Sequence, residues 1–303
     1  MANTTFSGPV RSENGFKLTS KTTSTGVVHD RTFGTTAKDA RRYYLEEYFS
    51  KKPGLNAVSI IDPDADSASA LAAYVIANRD FETLGTNYTT ALTTFAAHQA
   101  GILMTTATAD QDQGILLPHL DTNQTAWSGT KWGTENQVQW ECSIQAAQTD
   151  NEKIWAGLKL TNDQLIATDD DQIFFKYATA ATNGESLTST TNWHVIHSIG
   201  GTDYISRLPI SFAADTPYHL KIVIDSDRKA TVFVNGIQYN LTSTSGSTGG
   251  TAVTAVQPGK AVVKSAALTN DVNLIPYIGI ENGDAAAAVL NVHYTAISRH
   301  VYE

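Results

Sequence analysis

Residues 216–236 read TPYHLKIVIDSDRKATVFVNG, and this stretch decides the fold class. Apolar side chains recur at every second position, at Tyr218, Leu220, Ile222, Ile224, Val232 and Val234. A period of two is typical of β-strands that pack one face on a core. The dipeptide Asn235-Gly236 is the strongest short signal for a tight hairpin turn. The stretch therefore predicts antiparallel strands joined by short turns.

The same alternation continues on both sides of this hairpin. Further alternating runs lie at 138–144, 154–160, 173–177, 193–199, 274–280 and 289–297. Gly, Asn and Asp residues bound these runs, and no long helical pattern separates the later strands, which indicates antiparallel sheets. We therefore expect an all-β jelly-roll sandwich over residues 78–303, with the Ser/Thr/Gly-rich stretch 242–251 as a long surface loop.

Composition excludes several classes of partner. The chain has 303 residues, with 21 Lys and Arg against 30 Asp and Glu, a net charge of −9. Nucleic acids and anionic membranes both bind clustered positive charge, so neither is an expected partner. The single cysteine, Cys142, excludes an intrachain disulfide and a cysteine zinc cluster. No apolar run spans a membrane, and the N-terminus lacks a secretory h-region, so we expect no Sec-dependent export.

The first 35 residues scatter single apolar side chains among Gly, Ser, Thr and charges, without a period. Such a segment cannot bury enough apolar surface to fold alone. Two interpretations remain, a disordered tail and an extended arm that a partner surface orders. The spaced anchors favour the arm, and they are Phe6, Val10, Phe16, Leu18 and Phe33.

Residues 36–77 are predicted to be a helical connector, with a short helix over 36–51. Thr36 can cap this helix, and Lys52-Pro53-Gly54 can end it. Tyr44, Tyr48 and Phe49 would form one aromatic face of the helix, together with Leu45. Tyr and Phe are favoured at buried interfaces, so this face is a candidate contact with another copy or with a larger assembly. The alternative that stays open is that the helix caps its own sandwich.

The acidic run Asp62-Pro63-Asp64-Ala65-Asp66 resembles the start of a calcium loop. The EF-hand pattern needs Gly at its sixth position and Glu at its twelfth, where this chain has Ser67 and Ala73. A helix-capping turn is therefore the favoured interpretation. No cofactor is expected, and a loosely bound calcium ion is the alternative that stays open.

Two blocks of sequence resemble a known fold family. Thr216–Asp225, followed by Lys229–Gly236, resembles the core hairpin of concanavalin A-like, or laminin-G-like, jelly rolls. In that family one strand ends in an acidic turn and the next ends in an Asn-Gly turn. The resemblance implies a concanavalin A-like antiparallel sandwich, here preceded by the extended arm and the short helix.

Other blocks resemble virion structural proteins of marine tailed phages. They are Thr5–Phe16, Leu116–Trp127, Trp132–Glu135 and Ile154–Thr161, while 242–263 is the least comparable part. This resemblance implies a protein on the capsid surface, of the decoration, cement or head-fibre type, whose partner is the major capsid protein. The residues that carry it are structural, so they support the family more firmly than any activity.

The concanavalin A-like fold also occurs in glucanases, so a pair of catalytic carboxylates is the pattern to look for. A glycosidase requires two carboxylates at a defined separation, and strand neighbours two apart would supply it. Glu141 has no acidic neighbour at that spacing, and Asp225 and Asp227 sit in a turn. Cys142 lies on the predicted buried face, and His194 and His197 would point to opposite sides of one strand. We therefore expect no enzymatic activity.

Carbohydrate binding is the main alternative function. Lectin-type jelly rolls hold sugars with loop carboxylates and an aromatic platform. The candidates of this kind are Asp169, Asp171 and Trp193, with the loop 127–132 as a further aromatic region. Host-surface glycans would then be the ligand, and this role is compatible with a place on the capsid.

We also expect a homo-oligomer. A protein displayed on an icosahedral shell meets local symmetry axes, and a cyclic oligomer would multiply weak contacts. A trimer is favoured over a dimer.

Overall fold

The computed structural model describes residues 19–21, 28–30, 42–49, 81–93, 101–109, 111–118, 131–179, 184–246, 249–283 and 286–301. Over these residues the chain is an all-β jelly-roll sandwich of two sheets, as the alternation predicts. Helical structure in this described part is limited to two 3₁₀ turns, Thr134–Asn136 and Ile166–Thr168.

Sheet A contains ten of the described strands. They are β1 (Thr19–Lys21), β2 (Val28–Asp30), β3 (Arg42–Glu47), β5 (Tyr88–Thr93), β6 (Gly101–Thr106), β9 (Gln139–Ala146), β14 (Tyr218–Ile224), β15 (Ala230–Val234), β16 (Ile237–Tyr239) and β19 (Val289–His300). Their order across the sheet is β1-β2-β16-β15-β14-β9-β19-β6-β5, and β3 pairs with the second half of β19.

Sheet B contains nine of the described strands. They are β4 (Phe81–Thr86), β7 (Gln113–Pro118), β8 (Trp132–Gly133), β10 (Glu152–Lys159), β11 (Gln172–Ala178), β12 (Asn192–Ile199), β13 (Thr202–Ser211), β17 (Thr251–Ala252) and β18 (Asn273–Asn282). Their order is β17-β13-β12-β11-β10-β18-β7-β4, with β8 beside the start of β18. The short β13–β17 pair is parallel, and every other strand pair of the described part is antiparallel.

The main core lies between the two sheets and follows the predicted alternation. Trp140, Ile154, Phe175 and Leu220 all point into it and are buried. Trp155 is also buried, but on the opposite face of sheet B. There it joins a second apolar cluster that includes Phe174, Ile196 and Tyr277 and is covered by Ile166 and Leu187 from two loops. The outer face of sheet B is therefore closed by loops.

The hairpin predicted at Asn235-Gly236 is confirmed. β15 ends at Val234 and β16 begins at Ile237, and both turn residues have positive φ, 50° and 77°. These values are those of the type I′ turn that matches strand twist. The preceding turn is held by Asp225, whose Oδ1 accepts the amides of Asp227 and Lys229, each at 2.9 Å.

One side of the sandwich is formed by a strand that passes from sheet B to sheet A. Among the described strands, β4 is the last of sheet B and β5 is the last of sheet A, and only Asn87 separates them. Asn87 has a φ of 49°, and its side-chain amide donates to Asp112 Oδ1 at 2.9 Å. Asn tolerates this left-handed backbone, so one residue is enough for the corner.

The helix predicted over 36–51 is wrong where the structure describes it. Residues 42–47 form β3, which pairs antiparallel with Thr295–His300 of β19. The apolar spacing of this segment suits a helix face, but Leu45 also points inward from a strand and packs against the core. Pairing with the long strand β19 outweighs the weak local helix preference. Residues 36–41, 50 and 51 lie outside the described residues.

Two short pieces of the predicted arm belong to sheet A. β1 and β2 pair with each other, and β2 pairs with β16 through His29 and Ile237. The five anchors Phe6, Val10, Phe16, Leu18 and Phe33 lie outside the described residues, as does the acidic run 62–66. The tethering role of the arm and the domain boundaries at 35 and 77 stay predictions.

Candidate functional site

A group of polar side chains meets on the outer face of sheet A, and we call it the Tyr294 cluster. It consists of Glu141 on β9, His219 and Lys221 on β14, and Tyr294 on β19. Glu141 lies directly opposite Lys221 in the strand register. Because Trp140 points into the core, its neighbour Glu141 must point outward.

Tyr294 reaches this face because of a bulge in β19. The register between β19 and β9 shifts between Val292 and Tyr294, so Tyr294 lies opposite Ser143. Val292 remains in the core. Without the extra residue the pleat would turn Tyr294 inward. An irregularity of this kind leaves no signal in the alternating pattern, which is why sequence analysis missed this residue.

Hydrogen bonding and charge hold the Tyr294 cluster together. Tyr294 Oη donates to Glu141 Oε1 at 2.7 Å. Lys221 Nζ lies 3.7 Å and His219 Nε2 lies 3.9 Å from Glu141 Oε2. Burial, followed by the charge of Glu141, raises the pKa of Tyr294 far above its ordinary value. Tyr294 is therefore a protonated donor at neutral pH and does not act as a base.

An exposed aromatic ring lies over this cluster. The ring of Tyr48 packs on the ring of Tyr294 with 4.6 Å between centroids and 34° between planes. Tyr48 is 46% exposed, whereas Tyr294 is 7% exposed. On the same face His293 Nε2 lies 3.2 Å from Gln145 Oε1. The arrangement offers a flat apolar surface beside hydroxyl, amide and carboxylate groups, which is the chemistry that binds a sugar ring.

Trp193 is a correction to the predicted glycan site. Its side chain is fully buried between the sheets, and its ring makes edge contacts with Phe175, Phe212 and Tyr218. Because Trp193 alternates with inward-facing Val195, the pleat directs it to the core. It cannot stack on a sugar. Trp132 of the predicted aromatic loop is likewise buried.

Asp169 is also unavailable for a ligand, which corrects a second candidate. Its Oδ2 lies 3.0 Å from Lys159 Nζ, and its two oxygens accept the hydroxyl and the amide of Thr161. Asp171 is buried as well, and its Oδ1 accepts the amide of Gly200 at 3.4 Å. The carboxylates of this loop are therefore used to hold the loop on sheet B.

Three lysines on the outer face of sheet B form ion pairs beneath the covering loops. Lys153 pairs with Glu281 at 2.8 Å, Lys159 pairs with Asp169, and Lys176 pairs with Glu185. The alternation of β10 and β11 places all three lysines on the face opposite the main core.

Desolvation lowers the pKa of two of these lysines. Burial is the largest cause for both, and Asp169 partly offsets it for Lys159. The charges of Lys153 and Lys159 lower the pKa of Lys176 further. These residues resemble a catalytic cluster in composition, but their contacts are those of a structural clamp.

The remaining nucleophile and metal-ligand candidates are structural. Cys142 is buried in the main core, and burial raises the pKa of its thiol well above the ordinary value. His194 lies opposite Arg207, whereas His197 lies opposite Tyr204 and stacks on its ring at 4.7 Å. The two histidines thus face opposite sides of β12, as predicted. Among the described residues no group of three or more His, Cys, Asp or Glu side chains is arranged to hold a metal ion.

The predicted interface residues are separated by the structure. Tyr44 is half-buried on the outer face of sheet A, and Tyr48 is exposed. Phe49 is 2% exposed and belongs to the main core, so its proposed place in an interface is wrong. A strand directs neighbouring side chains to opposite faces, so these residues could share one aromatic face only in a helix.

In the described part, no helix is long and apolar enough to cross a membrane.

Comparisons with known proteins show a likeness of fold, and they identify no family. No family model and no curated protein matches the chain. A protein of unknown function from Shewanella oneidensis is 11% identical, with a TM-score of 0.45 over 85% of this chain and 86% of that one. Peanut lectin is 9% identical, with a TM-score of 0.45 over 86% and 97% of the two chains. A Bacillus licheniformis β-glucanase is 9% identical, with a TM-score of 0.41 over 84% and 97%. At these identities, and with TM-scores below 0.5, the likenesses carry no conclusion about the function of this chain.

Proposed function

We propose that this chain is a non-enzymatic structural protein of a phage virion. It binds the exterior of the capsid through its N-terminal region and displays the jelly roll outward, with the major capsid protein as its partner. The observation that carries the proposal is the resemblance of residues 5–16, 116–127, 132–135 and 154–161 to virion proteins of marine tailed phages.

The contacts of the reactive side chains support the non-enzymatic part of the proposal. Asp169 and Lys176 are paired and buried, Cys142 is a core thiol, and Tyr294 is held protonated. A general base needs a pKa near the working pH and a route to substrate. None of these four groups meets both requirements.

The place of β1 supports attachment through the N-terminal region. β1 is the outermost of the described strands on this side of sheet A, and residues 1–18 precede it in the sequence. A contact made by residues 1–18 would leave every described strand in place. Attachment and display can therefore be served by separate parts of the chain.

The test uses purified capsids of the phage that encodes the chain. We expect the full chain to bind them at a fixed copy number, and a variant that lacks residues 1–18 to lose binding with an unchanged melting temperature. A variant that lacks residues 1–35 removes β1 and β2 as well, so it shows whether these strands contribute. Absence of the chain from purified particles, or full occupancy by the shorter variants, would contradict the proposal.

Carbohydrate binding is a second candidate function, and the exposed ring of Tyr48 beside the Tyr294 cluster favours it. This site replaces the one predicted at Asp169, Asp171 and Trp193. Tyr48→Ala should abolish any binding of cello-, malto- or laminari-hexaose measured by calorimetry. Tyr43→Ala is the matched control, because Tyr43 is 41% exposed and packs on Trp132 instead. Equal loss in both variants, or no binding by the wild type, would remove this candidate.

A further inference from the structure

Two loop segments lie side by side over the outer face of sheet B, and together we call them the strap. They are residues 184–188, which lie between β11 and β12, and residues 249–251, which lead into β17. The amide of Thr188 donates to the Gly249 carbonyl at 3.2 Å, and the amide of Gly249 donates to the Ser186 carbonyl at 3.0 Å. The two segments therefore hold each other in place.

His194 of β12 lies directly beneath the strap. A Cβ atom at Gly250 would lie only 3.1 Å from His194 Cδ2, so the backbone of the strap passes close over the imidazole ring. Thr188 Oγ1 donates to the Gly250 carbonyl at 3.1 Å, which fixes this part of the strap. His194 is fully buried although it lies on the outer face of the sheet. The strap is thus a cover that keeps water from this ring.

The strands on both sides of His194 carry positive charge at the level of its ring. Lys176 of β11 and Arg207 of β13 lie directly opposite His194 in the strand register, so their side chains share its face. From the strap, Glu185 pairs with Lys176, whereas residues 249–251 are Gly, Gly and Thr and carry no charge. A proton on His194 would therefore add a third positive charge to one row of the sheet.

We propose that the strap is an acid-sensitive lid, which opens over the outer face of sheet B when His194 takes up a proton. Opening would uncover the second apolar cluster, since Leu187 of the strap packs in this cluster with Phe174, Ile196 and Tyr277. The proposal does not depend on the proposed function, because it rests on the contacts of the strap and of the strand beneath it.

The direction of the change follows from the two states of the imidazole. With the strap closed, burial lowers the pKa of His194 to about 4, with smaller contributions from the charges of Arg207 and Lys176. In water the pKa of histidine is about 6.5. The open form therefore binds the proton more tightly and gains on the closed form as the pH falls from 6.5 towards 4. Between pH 7 and pH 5 this linkage favours the open form by about twentyfold.

The test is amide hydrogen exchange of the full chain at pH 7 and pH 5, with each rate expressed as protection relative to an unstructured peptide at the same pH. We expect the protection of the Thr188 and Gly249 amides to fall about twentyfold at pH 5. At both pH values these amides should exchange faster than those of β14, because opening the strap costs less than unfolding the sheets. A strap that keeps its protection at pH 5 would overturn the proposal.

Two matched histidine variants separate opening of the strap from unfolding of the chain. His194→Gln removes the titrating ring beneath the strap, so the protection of Thr188 and Gly249 should be the same at both pH values. His197→Gln changes the other buried histidine of β12, which stacks on Tyr204 on the opposite face of the strand, and it should keep the twentyfold fall. Equal responses in the two variants would show that the strap exchanges only when the whole chain unfolds, which would refute the lid.

Arg207→Glu is a second variant, for use if His194→Gln does not fold. Arg207 is half-buried, and the new carboxylate would favour the proton on His194 while the strap is still closed. The difference in proton affinity between the closed and the open form then shrinks, so the fall in protection at pH 5 should be smaller than in the wild type. A fall as large as that of the wild type would contradict the role given to His194.

Discussion

Trp193 is surrounded by aromatic rings on the inner face of sheet B. Phe175, Phe212 and Tyr218 contact its edges, with ring centroids between 5.3 and 6.5 Å away. Edge-to-face pairs of this kind add stability beyond the apolar area they bury. The ring therefore holds the two sheets together, since Tyr218 belongs to sheet A and Trp193 to sheet B.

Truncation of this ring should be costly. Trp193→Ala is expected to lower the free energy of unfolding by about 3–5 kcal/mol, because it leaves a large cavity in the main core. Leu165→Ala, at a residue that is 41% exposed, should cost less than about 1 kcal/mol. Denaturant unfolding measures both values. Similar losses for the two variants would show that the assignment of Trp193 to the core is wrong.

At the scale of elements, alternating runs with strong turn signals were predictable from the sequence. The strands around Trp140, Ile154 and Leu220 appear where a period of two places them, and so does the Asn235-Gly236 turn. The strand β3 was not predictable, because its short aromatic pattern fits both a helix and a strand. Its state is decided by pairing with β19, about 250 residues away in sequence.

The candidate site was harder to predict for a different physical reason. A site depends on which side chains meet, and Glu141 meets Tyr294 only through a bulge and a long-range pairing. Composition pointed instead to Asp169 and Trp193, which are chemically suitable. Asp169 is used up by the loop that folds over sheet B, which local sequence does not encode, whereas Trp193 is directed to the core by its alternation with Val195.

The loop between β10 and β11 is clamped to sheet B by Lys159 and Asp169, whose side chains are fully buried. Asp169→Asn should lower the free energy of unfolding by about 3–5 kcal/mol, because it leaves a buried ammonium group without its counter-charge. Replacement of both charges, as Lys159→Met with Asp169→Asn, should recover most of this loss, because the amide oxygen can still accept from Thr161. Thermal unfolding and hydrogen exchange of residues 161–171 provide the measurements. A double variant as unstable as Asp169→Asn would contradict the clamp.

At the scale of the whole molecule, His194 and His197 should make the folded state less stable in acid. Burial lowers the pKa of each to about 4 in the folded state, against about 6.5 in an unfolded chain. The unfolded state binds more protons below pH 6.5, so stability should fall between pH 6.5 and 4, by up to about 3 kcal/mol per histidine. The variant His194→Gln/His197→Phe should show a shallower loss over this range. If stability falls equally steeply with pH in the variant and the wild type, the two histidines are not the cause of the acid dependence.

Glu152 should make the fold less stable as the pH rises, which is opposite to the effect of the two histidines. Burial, with a smaller effect of Asp150, raises the pKa of Glu152 to about 9. The folded state therefore holds a proton that the unfolded state releases above about pH 4.5, and stability should fall as the pH rises towards 9. Glu152→Gln is expected to raise the melting temperature at pH 8 and to leave it nearly unchanged at pH 4.5. An equal change in melting temperature at both pH values would show that a lost contact, and not the proton on Glu152, is responsible.

The last two described strands, β18 and β19, occupy interior places in the two sheets. β18 lies between β10 and β7 in sheet B, and β19 lies between β9 and β6 in sheet A. Neither sheet can close on the ribosome until residues 273–300 have been synthesised, because each would lack a strand in its middle. A copy that stops short of these residues has no stable sandwich and remains a substrate for proteases. The order of strands thus makes the closure of both sheets depend on the synthesis of residues 273–300.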